Sequence, residues 1–167
     1  MDLQARFPDP GECFHVIAHL GRHGADRAAV VPVRNRGTRS HVVLVETVGI
    51  GQSEIAVHSM VDFFLVLVQP GAGDELQGIK KGVLEVADIV VVNKADGAHA
   101  TEAKAAAREL AGAIRLIYPR ETLWHPPVLT MSALNAPGLT QLWDTVLKHR
   151  EVLTGAVEFD ARRRKQQ

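Results

Sequence analysis

Four short apolar runs, each ending in a polar or glycine-rich stretch, divide the chain from His41 onward. They are rich in β-branched and aromatic residues and do not alternate with polar ones. Continuous apolar runs of this length are typical of strands buried on both faces of a parallel sheet. The predicted strands are 41–46, 62–68, 88–93 and 127–132.

Between the predicted strands lie four helical candidates, at 53–60, 76–86, 101–117 and 138–150. The last has one apolar stripe with spacings of three and four, formed by Leu139, Leu142, Trp143, Val146 and Leu147. Strands that alternate with helices predict an α/β domain with a partial doubly wound, mainly parallel sheet. Ligands of such domains bind at the carboxyl ends of the strands.

The segment before His41 has no sustained period and mixes Pro, Gly, Arg and His. Only 28–33, "AAVVPV", resembles a strand, and Pro32 confines that strand to an edge or a loop. We therefore predict an atypical region at 1–40, poorly ordered apart from an edge strand. We further predict that residues 41–154 belong to the α/β domain and that residues 155–167 begin a helical extension.

Three histidines in this segment stand four residues apart: His15, His19 and His23. On a helix they would line up and could hold a metal ion. The alternative is a chance spacing in a His-rich tract, since Gly21 and Gly24 weaken any helix.

The charge, the cysteine content and the length of the apolar runs argue against several classes of protein. Nineteen basic residues balance nineteen acidic ones across the 167 residues, and this argues against binding to nucleic acid or an anionic membrane. The single cysteine, Cys13, cannot form an internal disulfide, which favours a reducing compartment. With no signal peptide and no apolar run of membrane-spanning length, the sequence predicts a cytoplasmic protein.

The stretch "IVVVNKADG" at 89–97 contains the pattern Asn-Lys-x-Asp at a strand end. The Asp96 carboxylate can accept two hydrogen bonds, which matches the N1–H and exocyclic amine of guanine, whereas adenine offers no such pair of donors. Asn93 would tie the loop to its neighbours, and the Lys94 stem would cover one face of the base. An ordinary polar turn is the alternative.

A second element strengthens the guanine hypothesis. The strand predicted at 127–132 ends in "SAL", Ser132, Ala133 and Leu134, where the Ala133 N–H could donate to the guanine O6. Upstream, "VVLVETVGIGQSE" places Glu46 at a strand end before Gly49 and Gln52.

In nucleotide hydrolases an acid at the position of Glu46 holds Mg²⁺, and a glycine N–H such as that of Gly49 meets the γ-phosphate. Gln52 is a candidate for ordering the attacking water or relaying a switch. An acid followed by a glycine turn is also common without any such role.

The segments "ETVGIGQSE", "VDFFLVLVQPGAGDELQGIKKG" and "NKADG" together resemble the MeaB/ArgK family, the methylmalonyl-CoA mutase-associated GTPases. The resemblance implies a P-loop GTPase that binds GTP, GDP and Mg²⁺ and acts as a chaperone of an adenosylcobalamin-dependent mutase. It also implies that "PGAGDELQGIKKG" is a third switch loop contacting the mutase, with Asp74, Gln77 and Lys80 as its working residues. Family members are homodimers, and we expect the dimerisation region to be lost here.

The family motif G-x-x-x-x-G-K-[ST] does not occur in the 167 residues. The abrupt change of character near Gly37 suggests a reading-frame shift in the coding sequence. We therefore expect a truncated and hydrolytically impaired form with weak affinity for GTP and Mg²⁺. The alternatives are a non-enzymatic module that docks on the mutase and a nickel-type metallochaperone GTPase, the latter favoured only by the N-terminal histidines.

Overall fold

The computed structural model describes residues 14–20, 29–33, 42–48, 58–70, 81–134 and 138–156, together with Glu158, Ala161 and Arg164. For the first three of these ranges it describes the backbone, with the side chain of Leu44 alone. All structural statements below concern these residues.

Six strands of the described residues form one sheet in the order β2-β3-β1-β4-β5-β6. Four neighbouring pairs are parallel, and β2 runs antiparallel to β3 at one edge. The strands are β1 Phe14–Leu20, β2 Ala29–Val33, β3 Val42–Val48, β4 Phe63–Val68, β5 Ile89–Val92 and β6 Val128–Thr130. The predicted α/β class with a mainly parallel sheet is confirmed, and the four predicted strands match β3 to β6.

The prediction of little packed structure before His41 is wrong for Phe14–Leu20. This segment forms β1, which pairs with β3 on one side and with β4 on the other. Its sequence, "FHVIAHL", does alternate apolar residues at every second position, but the surrounding Gly, Pro and His residues obscure that period. The expected edge strand is present as β2, in which Pro32 is paired in register with Val43 of β3.

The strand β1 also changes the interpretation of the histidine tract. His15 and His19 both lie in β1, so their spacing of four is not one turn of a helix, and the alignment on which the metal hypothesis rested is absent. The third histidine, His23, lies outside the described residues.

Three α-helices and one 3₁₀ turn accompany the strands in the described part of the chain. They are α1 Lys81–Val86, the 3₁₀ turn Gly97–His99, α2 Ala100–Ile117 and α3 Leu139–Gly155. The predicted helices at 76–86, 101–117 and 138–150 correspond to α1, α2 and α3, while most of the fourth, 53–60, lies outside the described residues.

Side chains of β4 and β5 are buried on both faces of the sheet, as their continuous apolar sequences predict. On one face Phe64, Val90 and Val92 pack with residues of α1 and α2. On the other face Phe63 and Val91 pack with residues of β6 and α3. Helices therefore cover both sides, which is the doubly wound arrangement.

The apolar stripe predicted for α3 coincides only in part with the face of the helix that is buried. Leu142, Trp143 and Val146 pack on the sheet, but Leu139 is 51% exposed. The residues of α3 that are fully buried are Val146, His149 and Leu153, because the contact with the sheet continues toward the helix C-terminus. Within the described residues, no helix is long and apolar enough to span a bilayer.

Gly138 sets the entry into α3 from the β6 side of the domain. Its φ is +84°, and a Cβ there would lie 2.6 Å from the Thr130 carbonyl oxygen, a backbone atom that cannot move aside cheaply. We expect Gly138→Ala to lower the free energy of unfolding by at least about 2 kcal/mol, through backbone strain and this clash. Denaturant unfolding of the variant measures the effect.

Gly112 provides the matched control. It lies inside α2, and a Cβ at this position meets no atom within 4 Å. Gly112→Ala should therefore raise the free energy of unfolding by about 0.5–1 kcal/mol, through helix propensity. Similar effects in both variants would contradict the role given to Gly138.

Candidate functional site

The carboxyl ends of β5 and β6 meet at one edge of the sheet, where their following loops run side by side. The Met131 N–H donates to the Val92 carbonyl at 2.8 Å, and the Ala95 N–H donates to the Met131 carbonyl at 3.0 Å. On the other side of β5, the Asn93 N–H donates to the Val68 carbonyl at 2.8 Å. Backbone pairing thus holds the Asn-Lys-x-Asp loop in place before any side chain contributes.

The Asn93 side chain joins the two loops. Its Oδ1 accepts the backbone N–H of Lys94 at 2.8 Å and the backbone N–H of Ala133 at 3.2 Å. The second bond connects residues 40 positions apart, from the loop after β5 to the loop after β6. The linking role predicted for Asn93 is consistent with this geometry.

Lys94 and Asp96 adopt backbone conformations that shape the loop between them. Lys94 has φ of +57°, a left-handed conformation that non-glycine residues rarely take, and Asn93 Oδ1 supports it by accepting its N–H. Asp96 is extended and precedes the 3₁₀ turn at Gly97–His99. Its carboxylate makes no capping hydrogen bond to that turn, although Asp commonly does so at this position.

The turn after β6 has one buried and two exposed residues. Ser132 is fully buried, whereas Ala133 is exposed and Leu134 is 84% exposed. The Ala133 N–H, predicted to donate to guanine O6, donates here to Asn93 Oδ1 instead. Its contact with a base stays a prediction, and a base would have to share that N–H or take it from Asn93.

The remaining predicted site residues are described in part or not at all. Glu46 lies in β3, paired in register with Ala18 of β1 and Ala29 of β2. The other predicted phosphate-side residues, Gly49 and Gln52, lie outside the described residues, as do the switch-loop residues Asp74, Gln77 and Lys80.

The described residues contain no group of three or more His, Cys, Asp or Glu side chains arranged to hold a metal ion. For Mg²⁺ the sequence offers the Glu46 carboxylate, a hard oxygen ligand of the right chemistry. The structure describes only the backbone of Glu46, in β3 next to β1, so the magnesium role of this residue stays a prediction.

Sequence reasoning missed a polar cluster at the opposite, amino end of β5. The buried Asp88 carboxylate accepts the Phe64 N–H at 2.8 Å and lies 3.2 Å from Nε2 of buried His149. The Asp88 carbonyl accepts the indole N–H of Trp124 at 2.8 Å. Asp88 and His149 are 61 positions apart, and a lone histidine within a helix carried no signal of this contact.

Comparison with known proteins identifies the family. The sequence model of the methylmalonyl Co-A mutase-associated GTPase MeaB matches residues 19–167. This chain belongs to the MeaB family. The resemblance drawn from the strand-end motifs is thereby confirmed.

Relatives of the MeaB family support the same conclusion. The chain is 71% identical over 126 residues to a probable GTPase of Mycobacterium tuberculosis, covering 75% of this chain and 38% of that protein. It is 39% identical over 148 residues to the GTPase ArgK of Escherichia coli, covering 89% of this chain and 44% of that protein. The chain therefore spans less than half the length of these relatives.

A solved structure supports the fold. The crystal structure of an LAO/AO transport system kinase superposes with a TM-score of 0.70 at 30% identity, covering 93% of this chain and 55% of that one. The chain accordingly has the fold of P-loop GTPases.

Removing the Asn93 side chain should loosen both loops of the site. We expect Asn93→Ala to speed amide exchange at Lys94 and Ala133 and to lower the free energy of unfolding by about 1 kcal/mol, since one hydrogen-bond acceptor serves two N–H groups. Asn93→Asp keeps that acceptor and should retain protection. Hydrogen exchange followed by NMR measures both variants, with the Val91 amide as internal reference. Unchanged exchange at Ala133 in Asn93→Ala would contradict the linking role.

Proposed function

We propose that this chain carries the guanine-recognition part of a MeaB-type GTPase. The observation that carries the proposal is the Asn93 side chain, which joins the Asn-Lys-x-Asp loop to the turn at Ala133 across the ends of β5 and β6. Family membership supports guanine nucleotides as the ligand class.

The chemistry of the loop supports guanine over adenine. Asp96 lies in this loop with a carboxylate that makes no capping bond, and two acceptor oxygens match the paired N1–H and 2-amino donors of guanine. Adenine has no such pair, so binding it would leave the carboxylate desolvated without partners. Lys94 is exposed at the same loop, and we propose that its aliphatic stem covers one face of the base.

A titration followed by amide chemical shifts tests this proposal directly. Addition of GDP should move the signals of Lys94, Asp96 and Ala133, whereas ADP at the same concentration should leave them in place. The amide of Leu110, buried in α2 away from the loop, serves as the unaffected reference. Equal shifts with both nucleotides would remove the guanine hypothesis.

We further propose a partner and a metal. The name of the family links it to methylmalonyl-CoA mutase, and we propose that residues 70–82 contact an adenosylcobalamin-dependent mutase through Asp74, Gln77 and Lys80.

For Mg²⁺ we propose Glu46 as the one protein ligand from this chain, with Gly49 and Gln52 on the phosphate side. The cytoplasmic location is a proposal of the same kind.

We propose that the 167-residue chain by itself is hydrolytically impaired, because its sequence contains no G-x-x-x-x-G-K-[ST] motif. Docking on the mutase without hydrolysis is the second candidate function, since residues 70–82 resemble the family loop independently of any phosphate contact. A pull-down of the mutase with and without GDP separates the two, because a purely docking module binds equally in both conditions.

A further inference from the structure

Asp88 holds the amino end of β5 through its backbone and its side chain together. Its N–H donates to the Phe64 carbonyl at 2.9 Å, and its Oδ2 accepts the Phe64 N–H at 2.8 Å. Its carbonyl accepts the indole N–H of Trp124 at 2.8 Å, and its Oδ1 lies 3.2 Å from Nε2 of His149. These contacts connect one buried residue with β4, with the segment that precedes β6 and with α3.

The reciprocal pair with Phe64 sets the register of β5 against β4. β5 has only four residues, and its pairing with β4 begins where Ile89 stands opposite Leu65. The Asp88 carboxylate extends that pairing by one residue, because it accepts the buried Phe64 N–H. A slip of one residue would place Ala87 or Ile89 opposite Phe64, and neither side chain could accept that N–H. Since an unpaired buried N–H is costly, Asp88 selects one register.

The contact with His149 extends the influence of Asp88 to both loops of the guanine site. β5 leads into the Asn-Lys-x-Asp loop, and α3 follows the turn at 132–134 in the chain. At one end of β5 the bond from Ala133 to Asn93 joins those two loops. At the other end, roughly 13 Å away by the length of the strand, the bond from His149 to Asp88 joins β5 to α3.

Two aromatic rings fix the orientation of the His149 imidazole. Phe63 and Trp124 both stand edge-on to it, with ring centroids 4.9 and 5.0 Å away. Because a carboxylate only accepts, Nε2 is the donor toward Asp88, and a ring packed on both sides cannot follow a displacement of α3 without losing this bond. The contact therefore restrains α3 relative to β5.

We propose that Asp88 is a positioning residue of the guanine site, which acts through β5 and His149 on the spacing between Asn93 and Ala133. The proposal rests on the guanine function proposed above. It assigns Asp88 no contact with the nucleotide, because Asp88 and Asn93 lie at opposite ends of β5.

His149→Phe tests the proposal, since it keeps an aromatic ring in the same packing but removes the nitrogen that faces Asp88. We expect the Kd for GDP to rise about three- to tenfold, which is the effect of one lost hydrogen bond. The amides of Ala95 and Ala133, whose hydrogen bonds join the two loops, should exchange faster with solvent. Equilibrium binding and hydrogen exchange followed by NMR measure the two effects on the full chain.

Two further variants separate positioning from general stability. Ile114→Val removes buried volume near the C-terminal end of α2, on the other face of the sheet, and should leave GDP affinity and the exchange of both amides unchanged. Asp88→Asn should restore function, because its amide oxygen can accept the Phe64 N–H while its N–H₂ group donates to His149 Nε2 in the other ring tautomer. Its Kd for GDP should stay within about twofold of that of the original chain.

An unchanged GDP affinity in His149→Phe would overturn the proposal. An equal loss in Ile114→Val would overturn it as well, because the effect would then follow overall stability, and so would an equal loss in Asp88→Asn. If the original chain binds no GDP, the guanine function is wrong, and exchange at Ala95 and Ala133 still decides the positioning role: equal rates in the original chain and His149→Phe exclude it.

Discussion

Asp96→Asn is expected to convert a preference for guanine nucleotides into a preference for xanthine nucleotides. The carboxylate of Asp96 accepts from both donors on the guanine edge, whereas an Asn amide offers one acceptor and one donor. Xanthine has N1–H beside a carbonyl in place of the 2-amino group, so the Asn amide matches it. With guanine, the N–H₂ group of the Asn amide would face the 2-amino group, and two donors would oppose each other. The ratio of GDP to XDP affinity should fall about a hundredfold.

Equilibrium binding of GDP, XDP and ADP to both proteins measures this ratio. Asp144→Asn, which removes an exposed carboxylate from α3, is the matched control and should keep the GDP preference. If GDP and ADP bind equally weakly to the original chain, and Asp96→Ala changes neither affinity, the guanine function assigned to this loop is wrong.

The strands buried on both faces were predictable because burial leaves a local trace. β4 and β5 must present apolar side chains to α1 and α2 on one face and to α3 on the other, so their sequences are continuously apolar. β1 was not predictable in the same way. Its place in the sheet depends on backbone pairing with β3 and β4, which are distant in sequence, and its own sequence contains two histidines.

The motif of the candidate site was predictable from the sequence, whereas the contacts between its two loops were not. Asn93, Lys94 and Asp96 form a contiguous motif at a strand end, and chemistry alone relates that motif to guanine. The contact of Asn93 with Ala133 and the positive φ of Lys94 arise only when β5 and β6 stand side by side. The contact between Asp88 and His149 likewise depends on how α3 packs across the sheet, and no local pattern encodes it.

We expect the 167-residue chain alone to hydrolyse GTP no faster than the uncatalysed background. Phosphoryl transfer depends on positioning the phosphates and stabilising their charge, and Glu46, Gly49 and Gln52 can assist only after the nucleotide is fixed. Without a lysine and an amide cradle at the phosphates, several charge-assisted hydrogen bonds are missing, each contributing about 1.5–3 kcal/mol. The loss of even two such bonds lowers binding or rate by roughly two to four orders of magnitude.

A single-turnover assay decides the question, with Mg²⁺ present and the protein in excess over GTP. The rate of GTP hydrolysis is compared with the rate without protein, and Glu46→Ala is the paired variant. Turnover that exceeds background and disappears in Glu46→Ala would mean that residues of this chain bind the phosphates without the family motif. Turnover that persists in Glu46→Ala would instead indicate a contaminating hydrolase, because Glu46, which lies in β3, is the one carboxylate assigned here to the metal. Background rates in both proteins are the expected result, and they are compatible with guanine binding at Asp96, since base recognition and phosphate stabilisation use different atoms of the nucleotide.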